Sequence, residues 1–185
     1  MVLEAVLLMA SLVLAIALGP SHIGILIIWA VIVVICLPVI RLVMQGAPPF
    51  VPTSKKTADH MIELAVIKRG DTVYDLGCGD GRLLIAAAEK GAVAVGYELS
   101  VPTLLLAKWK ARRYKTVEVR YGDFWQKDFS DADVIVCYLL IQKMKLFKEV
   151  IWPQLKPGTR VVSHSFKIPG IKPTQVKGDA VLYVK

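Results

Sequence analysis

The stretch TVYDLGCGDGRLLIAAAEK, residues 72–90, constrains the fold of this chain more than any other. Residues 72–74 are β-branched and aromatic types, followed by Asp75 and Leu76, and residues 81–90 are mostly helix formers. Between them Gly77, Gly79 and Gly81 stand at alternate positions. Glycine at that spacing frees the backbone for a tight strand-to-helix turn. The pattern recurs downstream. Residues 93–98, 117–121, 134–138 and 160–165 read as strands, and residues 102–114 and 141–152 as helices. Such alternation predicts a parallel sheet with helices on both faces. Residues 180–184 read as a strand that follows no helix, so antiparallel pairing is expected there. Ahead of the glycine turn, Thr53 or Ser54 can cap a helix running to about Lys68. Lys68-Arg69-Gly70 reads as its C-terminal signal.

The glycine turn predicts a nucleotide-like ligand, and its charges narrow the choice. A dinucleotide fingerprint places its third glycine where this chain has Arg82. Asp75 ends the strand and Asp80 lies inside the turn. Two carboxylates repel a pyrophosphate but suit an α-ammonium group. S-adenosyl-L-methionine carries an ammonium, a sulfonium and no phosphate. Glu98, at the end of the second strand, is placed to accept hydrogen bonds from ribose hydroxyls. Asp123 in YGDFW follows the third strand and can accept from an adenine amino group, with Phe124 covering the ring. Thr53 has two readings, a contact to the methionine carboxylate or a helix cap. The cofactor residues predicted are therefore Thr53, Asp75, Gly77, Gly79, Asp80, Gly81, Glu98, Asp123 and Phe124.

D-x-G-x-G-x-G, an acid ending strand two, G-D after strand three and L-K-P-G before a late strand together resemble class I methyltransferases. The resemblance implies an α/β fold, Rossmann-like and doubly wound, with a mostly parallel seven-stranded type of sheet. The segment from Pro49 to Ser100 is similar to the small lysine methyltransferases that modify the ATP synthase c-subunit and the adenine nucleotide translocase. Those proteins also carry a hydrophobic segment ahead of P-[FY]-V-P. The chain departs from them in having two hydrophobic runs, in Cys137-Tyr138-Leu139-Leu140 after the fourth strand, and in ending early. The resemblance implies transfer of a methyl group to a lysine of a membrane or membrane-adjacent protein. Tyr138, ending strand four, is the candidate catalytic residue. Phe50 and Phe166 are candidate walls of the substrate pocket. For all three aromatics, plain core packing is the competing reading, and His60 and His164 read as satisfied structural histidines.

Residues 5–40 contain no Lys, Arg, Asp or Glu. Two apolar runs, 3–18 and 23–43, are separated by Gly19-Pro20-Ser21-His22. At 1.5 Å per residue the second spans roughly 31 Å and the first roughly 24 Å, against a hydrocarbon core of ~30 Å. N-terminal transmembrane helices are expected, as a hairpin or as one span beside an interfacial or cleaved segment. A buried helical pair is the alternative. Arg41, Lys55, Lys56, Lys68 and Arg69 all follow the second run, which predicts a catalytic domain on the cytoplasmic side, or the matrix-like side of an organelle. The expected organisation is an anchor over 1–44, a proline-rich connector over 45–53 and a methyltransferase domain over 54–185.

The net charge is +8. That charge attracts anionic lipid and nucleic acid alike. The N-P-P-Y motif of enzymes that methylate planar amides and nucleobases is absent, which disfavours nucleic acid as the acceptor. Cys36, Cys78 and Cys137 are far apart and the histidines are scattered, so no zinc site, other metal site or disulfide framework is expected. Two further functions stay open: methylation of a lipid or small amphiphile, and a non-catalytic cofactor-binding scaffold module.

Overall fold

The computed structural model describes Gly24, Ile25, Ile27, Ile28, Trp29, Val31, Val33 and residues 52–185. The chain divides into two units, Met1–Pro49 and Phe50–Lys185. The described residues of the first are helical, and Ile25, Ile27, Ile28, Trp29 and Val31 are exposed. Among the described residues no helix is long and apolar enough to cross a membrane. The two expected membrane helices, the connector and Phe50 fall largely or wholly outside the described residues.

The second unit opens with α1 (Lys55–Ala65). Then come β1 (Thr72–Leu76), α2 (Arg82–Glu89), β2 (Val93–Glu98), α3 (Val101–Ala111) and β3 (Val117–Tyr121). A 3-10 turn (Phe124–Gln126) leads to β4 (Val134–Cys137) and α4 (Ile141–Val150). A second such turn (Trp152–Gln154) leads to β5 (Arg160–His164), β6 (Gln175–Lys177) and β7 (Ala180–Val184). The strands form a seven-stranded sheet in the order β3-β2-β1-β4-β5-β7-β6. The first five strands pair in parallel, and β7 runs antiparallel between β5 and β6. The parallel core and the antiparallel last strand match the reading of the sequence. The short strand β6, with Gln175 and Val176 exposed, carried no apolar alternation to reveal it.

Period-two alternation sorts the strand residues onto two faces. Val73, Ala94, Val119, Val134, Val136 and Val162 meet α1, α2 and α3. Leu76, Val95, Ile135, Cys137 and Val161 meet α4 and the loop residues Phe129, Leu155 and Ile168. Both faces of β1, β2, β4 and β5 are covered, which is why these strands read as largely apolar runs, whereas the edge strand β3 exposes Glu118 and Arg120. Burial pushes the Cys137 thiol up to about 12 and the Cys78 thiol higher still, so both are held as neutral thiols.

Helix α1 ends three residues before the expected Lys68. Val66 adopts a left-handed φ of 45°, and its N–H turns back to Glu63. The cause is tertiary. Arg160 of β5 donates to the carbonyls of Ala65, at 2.8 Å, and Val66, satisfying acceptors the helix end leaves open. Its Nη2 also pairs with Asp71 at 2.6 Å. Gly70 instead serves a later turn, with φ 87° and its N–H on the Gly91 carbonyl.

Gly96 is the tightest point of the sheet. A Cβ there would lie 2.5 Å from Leu84 Cδ1 and 2.7 Å from both Cβ and Sγ of Cys78. Cys78 lies within the glycine turn, so the crowding bears on the site directly. Gly96→Ala is expected to lower unfolding stability by about 1–3 kcal/mol, as overpacking does. Denaturant titration of the two proteins measures it, and an unchanged midpoint would contradict the tight packing.

Candidate active site

The site stands at the C-terminal edge of the parallel strands, where loops leave β1, β2, β4 and β5. Register aligns its parts. Leu76 pairs with Tyr97 on one side and Cys137 on the other, and Cys137 pairs with Ser163. One residue further, Glu98, Gly77, Tyr138 and His164 fall in a row across four neighbouring strand ends. Asp75, Glu98, Tyr138 and His164 share parity with Val73, Gly96, Val136 and Val162, so they belong to the face that α1 and α2 cover.

The glycine turn is left-handed at each of its glycines: Gly77 at φ 82°, Gly79 at 56° and Gly81 at 78°. A Cβ on Gly77 would meet nothing within 4 Å, so Gly77 is there for its backbone conformation and the space it leaves. The N–H groups of Gly77 and Cys78 both donate to the Tyr97 carbonyl, tying the turn to β2. Glu98 completes the tie. One of its oxygens accepts from Gly79 N–H at 3.0 Å, the other from Ser100 N–H at 2.8 Å. A carboxylate has about four lone-pair positions, so two remain for hydroxyl donors.

Asp75 is 3% exposed, and no hydrogen bond reaches its carboxyl from any described residue. Burial, and then the nearby charges of Glu98 and Asp80, raise its pKa to about 8. A buried acid without a donor, flanked by two more acids, is built for a cation. The set of acceptors therefore fits the ammonium of S-adenosylmethionine, with Glu98 left for its ribose.

Asp80, expected to face the ligand, is already engaged. Its oxygens take Nε and Nη2 of Arg82 at 2.9 Å each and Nζ of Lys110 at 2.6 Å. The Arg82 guanidinium beside it holds its carboxyl well below the usual range. Arg82 Nη1 goes on to the Thr53 carbonyl. Arg82 thus fastens the entry segment onto the glycine turn. The sequence signalled Arg82 only as a missing third glycine, and Lys110, on α3, stood out only as part of the basic run 108–115, with nothing to tie it to the turn. Ser54 is the cap of α1, accepting from Thr57 N–H at 3.1 Å, so the buried Thr53 hydroxyl is not the cap.

Asp123 caps the first 3-10 turn through Trp125 N–H at 3.1 Å, and Phe124 leans on Trp125 with ring centroids 4.7 Å apart. Both follow β3, beside Glu98. The L-K-P-G segment lies at the opposite edge of the sheet. There Lys156 pairs with Asp133 at 2.7 Å and Thr159 donates to the Ala132 carbonyl. Its role is to position β5.

Tyr138 is half-buried and its ring lies 3.9 Å from that of His164 and 6.5 Å from that of Phe166. The turn between the last two is strained. Ser165 has φ 63°, and Phe166 N–H reaches back to the His164 carbonyl at 2.7 Å. Such a γ-turn at a non-glycine residue costs on the order of 1–3 kcal/mol and persists only where its surroundings hold it. Here Ser163 Oγ donates to the Phe166 carbonyl at 2.5 Å and Ser165 N–H to the Asp179 carbonyl at 2.6 Å. The expectation that His164 is a satisfied structural histidine is corrected: its buried Nδ1 has no hydrogen-bond partner. Burial holds its imidazole below the ordinary histidine range, with the charge of Asp179 opposing.

Comparisons with known proteins agree with this geometry. Residues 75–175 match a family model described as ANTKMT methyltransferase domain. A protein-lysine N-methyltransferase of Saccharolobus islandicus is 39% identical over 133 residues, covering 69% of this chain and 83% of that protein. The human lysine N-methyltransferase of the ATP synthase c-subunit is 32% identical over 136 residues, covering 72% of this chain and 58% of that protein. A crystal structure of an RNA methyltransferase from Salinibacter ruber, in complex with S-adenosyl-L-homocysteine, superposes with a TM-score of 0.67 at 37% identity. It covers 72% of this chain and 93% of its own.

Asp75 makes cofactor binding depend on pH. An ammonium bound beside it favours its ionised form, so below about pH 8 binding is expected to release up to one proton, and affinity to rise between roughly pH 6 and 7.5. Calorimetry in buffers of different ionisation enthalpy measures the proton. Asp75→Asn is expected to abolish the release and weaken binding about tenfold or more. The folded pKa lies above the unfolded one, so this group's stabilisation is complete below about pH 4 and is lost as pH rises through about 8. The asparagine variant is expected to lose less stability over that interval. A family model matching more than half of the chain, close relatives and a cation-ready glycine turn agree: the chain belongs to the ANTKMT methyltransferase-domain family of S-adenosylmethionine-dependent methyltransferases.

Proposed function

We propose that this protein is a protein-lysine N-methyltransferase held at a membrane by its N-terminal hydrophobic segment, with its catalytic domain on the cytoplasmic side. The observation that carries the acceptor reading is the aromatic cluster of Tyr138, His164 and Phe166, one and two strands beyond the glycine turn. The activities for which the archaeal and human relatives are named support a lysine acceptor. The membrane part rests on the charge-free composition of residues 5–40.

S-adenosylmethionine supplies an electrophilic methyl group on a sulfonium centre. The chain supplies the rest. Asp75 receives the ammonium, Glu98 the ribose hydroxyls, and Asp123 with Phe124 the adenine. The open space at Gly77 admits the ligand against the backbone, while Asp80 acts through Arg82 to hold Thr53 and the entry segment down. On the acceptor side, a lysine must be neutral to attack, and its reference pKa is ~10.4. An apolar slot disfavours the ammonium and lowers that value, so no strong base is required. After transfer, aromatic faces stabilise the methylated cation. Holding both partners in line is expected to provide most of the acceleration.

A second reading, RNA methylation, is favoured by the name of the Salinibacter ruber protein and by the net charge of +8. Lysine is preferred because the cluster presents aromatic faces, whereas a base edge needs a matched set of donors and acceptors. Incubating the protein with methyl-labelled cofactor, whole membranes and total RNA separates the readings. Label is expected on protein, at lysine by mass spectrometry. Label in RNA or lipid alone would overturn the proposal.

The anchor has its own test. Removing residues 1–41 is expected to leave cofactor affinity unchanged. Methylation of membrane-embedded substrate should fall by about tenfold or more, because the anchor supplies effective concentration at the surface. Equal labelling by both forms would remove the role given to the anchor.

A further inference from the structure

Buried polar atoms in folded proteins are almost always paired, so each exception calls for a partner. Among the described side-chain nitrogen and oxygen atoms that are wholly shut off from solvent, one has no partner, and it is Nδ1 of His164; the Asp75 carboxyl keeps a sliver of exposure. The residue is 8% exposed and sits at the end of β5, beside Tyr138 in register. It is two strands along from the glycine turn, on the side away from Glu98. The strained turn at Ser165 brings Phe166 to the same place, with the Tyr138 and Phe166 rings 21° from parallel. A costly backbone, an unpaired buried nitrogen and two aromatic faces thus coincide at the acceptor side of the site.

Resting on the reading of the chain as a lysine methyltransferase, we infer that Nδ1 of His164 accepts a hydrogen bond from the incoming lysine amine, beside the rings of Tyr138 and Phe166. A neutral primary amine carries two N–H donors and one lone pair. Attack requires the lone pair to face the methyl carbon. A group that donates to the amine would occupy that lone pair and block the reaction. A group that accepts from one N–H leaves it free and turns it to a set direction. The imidazole tautomer protonated on Nε2 presents such an acceptor at Nδ1. Burial keeps the ring neutral, so the acceptor is available at ordinary pH. As the nitrogen–carbon bond forms, the carbon–sulfur bond breaks and its electron pair stays on sulfur. The amine leaves as a methylammonium with its protons retained. His164 is therefore an acceptor-binding residue, and no net proton transfer to it is required.

Three substitutions in the full-length chain test this. Asn places an oxygen near the position of Nδ1, Gln places one near Nε2, and Phe removes both acceptors. The readouts are kcat and KM on a peptide carrying the lysine that the wild-type enzyme modifies, with cofactor affinity by calorimetry as the control for folding. His164→Phe and His164→Gln are expected to lower kcat about tenfold, the worth of one lost hydrogen bond. His164→Asn is expected to stay within about threefold of wild type, and all three to bind cofactor normally. If His164→Phe loses cofactor binding, the comparison of Asn with Gln decides. Wild-type kcat in His164→Phe, or equal kcat in His164→Asn and His164→Gln, would overturn the inference while leaving the lysine reading intact. A wild-type enzyme that labels RNA or lipid but no lysine would remove that reading and this inference with it.

Discussion

A carboxyl group buried without a donor is expensive, and this structure keeps one at the end of β1. Asp75 lies under the glycine turn with two further acids nearby, and its pKa is raised to about 8 in consequence. The surrounding parts make sense as the means of holding that arrangement open. Glu98 accepts from the N–H of Gly79 in the turn and from that of Ser100 just beyond β2, so its charge is anchored and kept from collapsing onto a nearby cation. Arg82 and Lys110 are the available cations, and Asp80 holds both. The charge of the turn is thereby divided into a neutralised part and an unpaired part. Only the unpaired part is left to a ligand, and an ammonium suits it.

The same division links the binding site to the chain's entry. Arg82 pairs with Asp80 through two nitrogens and reaches the Thr53 carbonyl with a third. Thr53, just ahead of α1, is thus fastened to the cofactor turn by a planar, multiply donating group. A lysine could not replace it, because it offers a point charge without the fork. On the other side of the turn the sheet register carries the row of strand ends from Glu98 to His164. Cofactor and acceptor halves are therefore placed by the same backbone ladder, which is stiff on both faces because both are packed.

The parallel sheet, its alternation with helices and the antiparallel last strand were legible from periodicity, since the apolar runs at 73–76, 94–97 and 134–137 have no other use. The placing of Asp75 and Glu98 at the ends of β1 and β2 was legible from the strand boundaries. Other features were not. The end of α1 at Ala65 is set by Arg160, almost a hundred residues away in the chain, and no local propensity signals it. The commitment of Asp80 to Lys110 depends on α3 packing across the turn. The unpaired nitrogen of His164 could not be read at all, because a sequence does not say which donors reach a buried ring.

By itself, then, the amino-acid order determined the class of fold, the strand–turn–helix that cradles a cofactor, and the preference of that turn for a cation over a phosphate. These are local matters: side-chain period, glycine spacing and the charge of residues close in sequence. Tertiary structure alone decided which of the acids remained free, where α1 stopped, and which ring nitrogen was left waiting for a partner. Each of those depends on groups far apart in the chain meeting in a dry interior, where a hydrogen bond made or withheld counts for far more than it does in water.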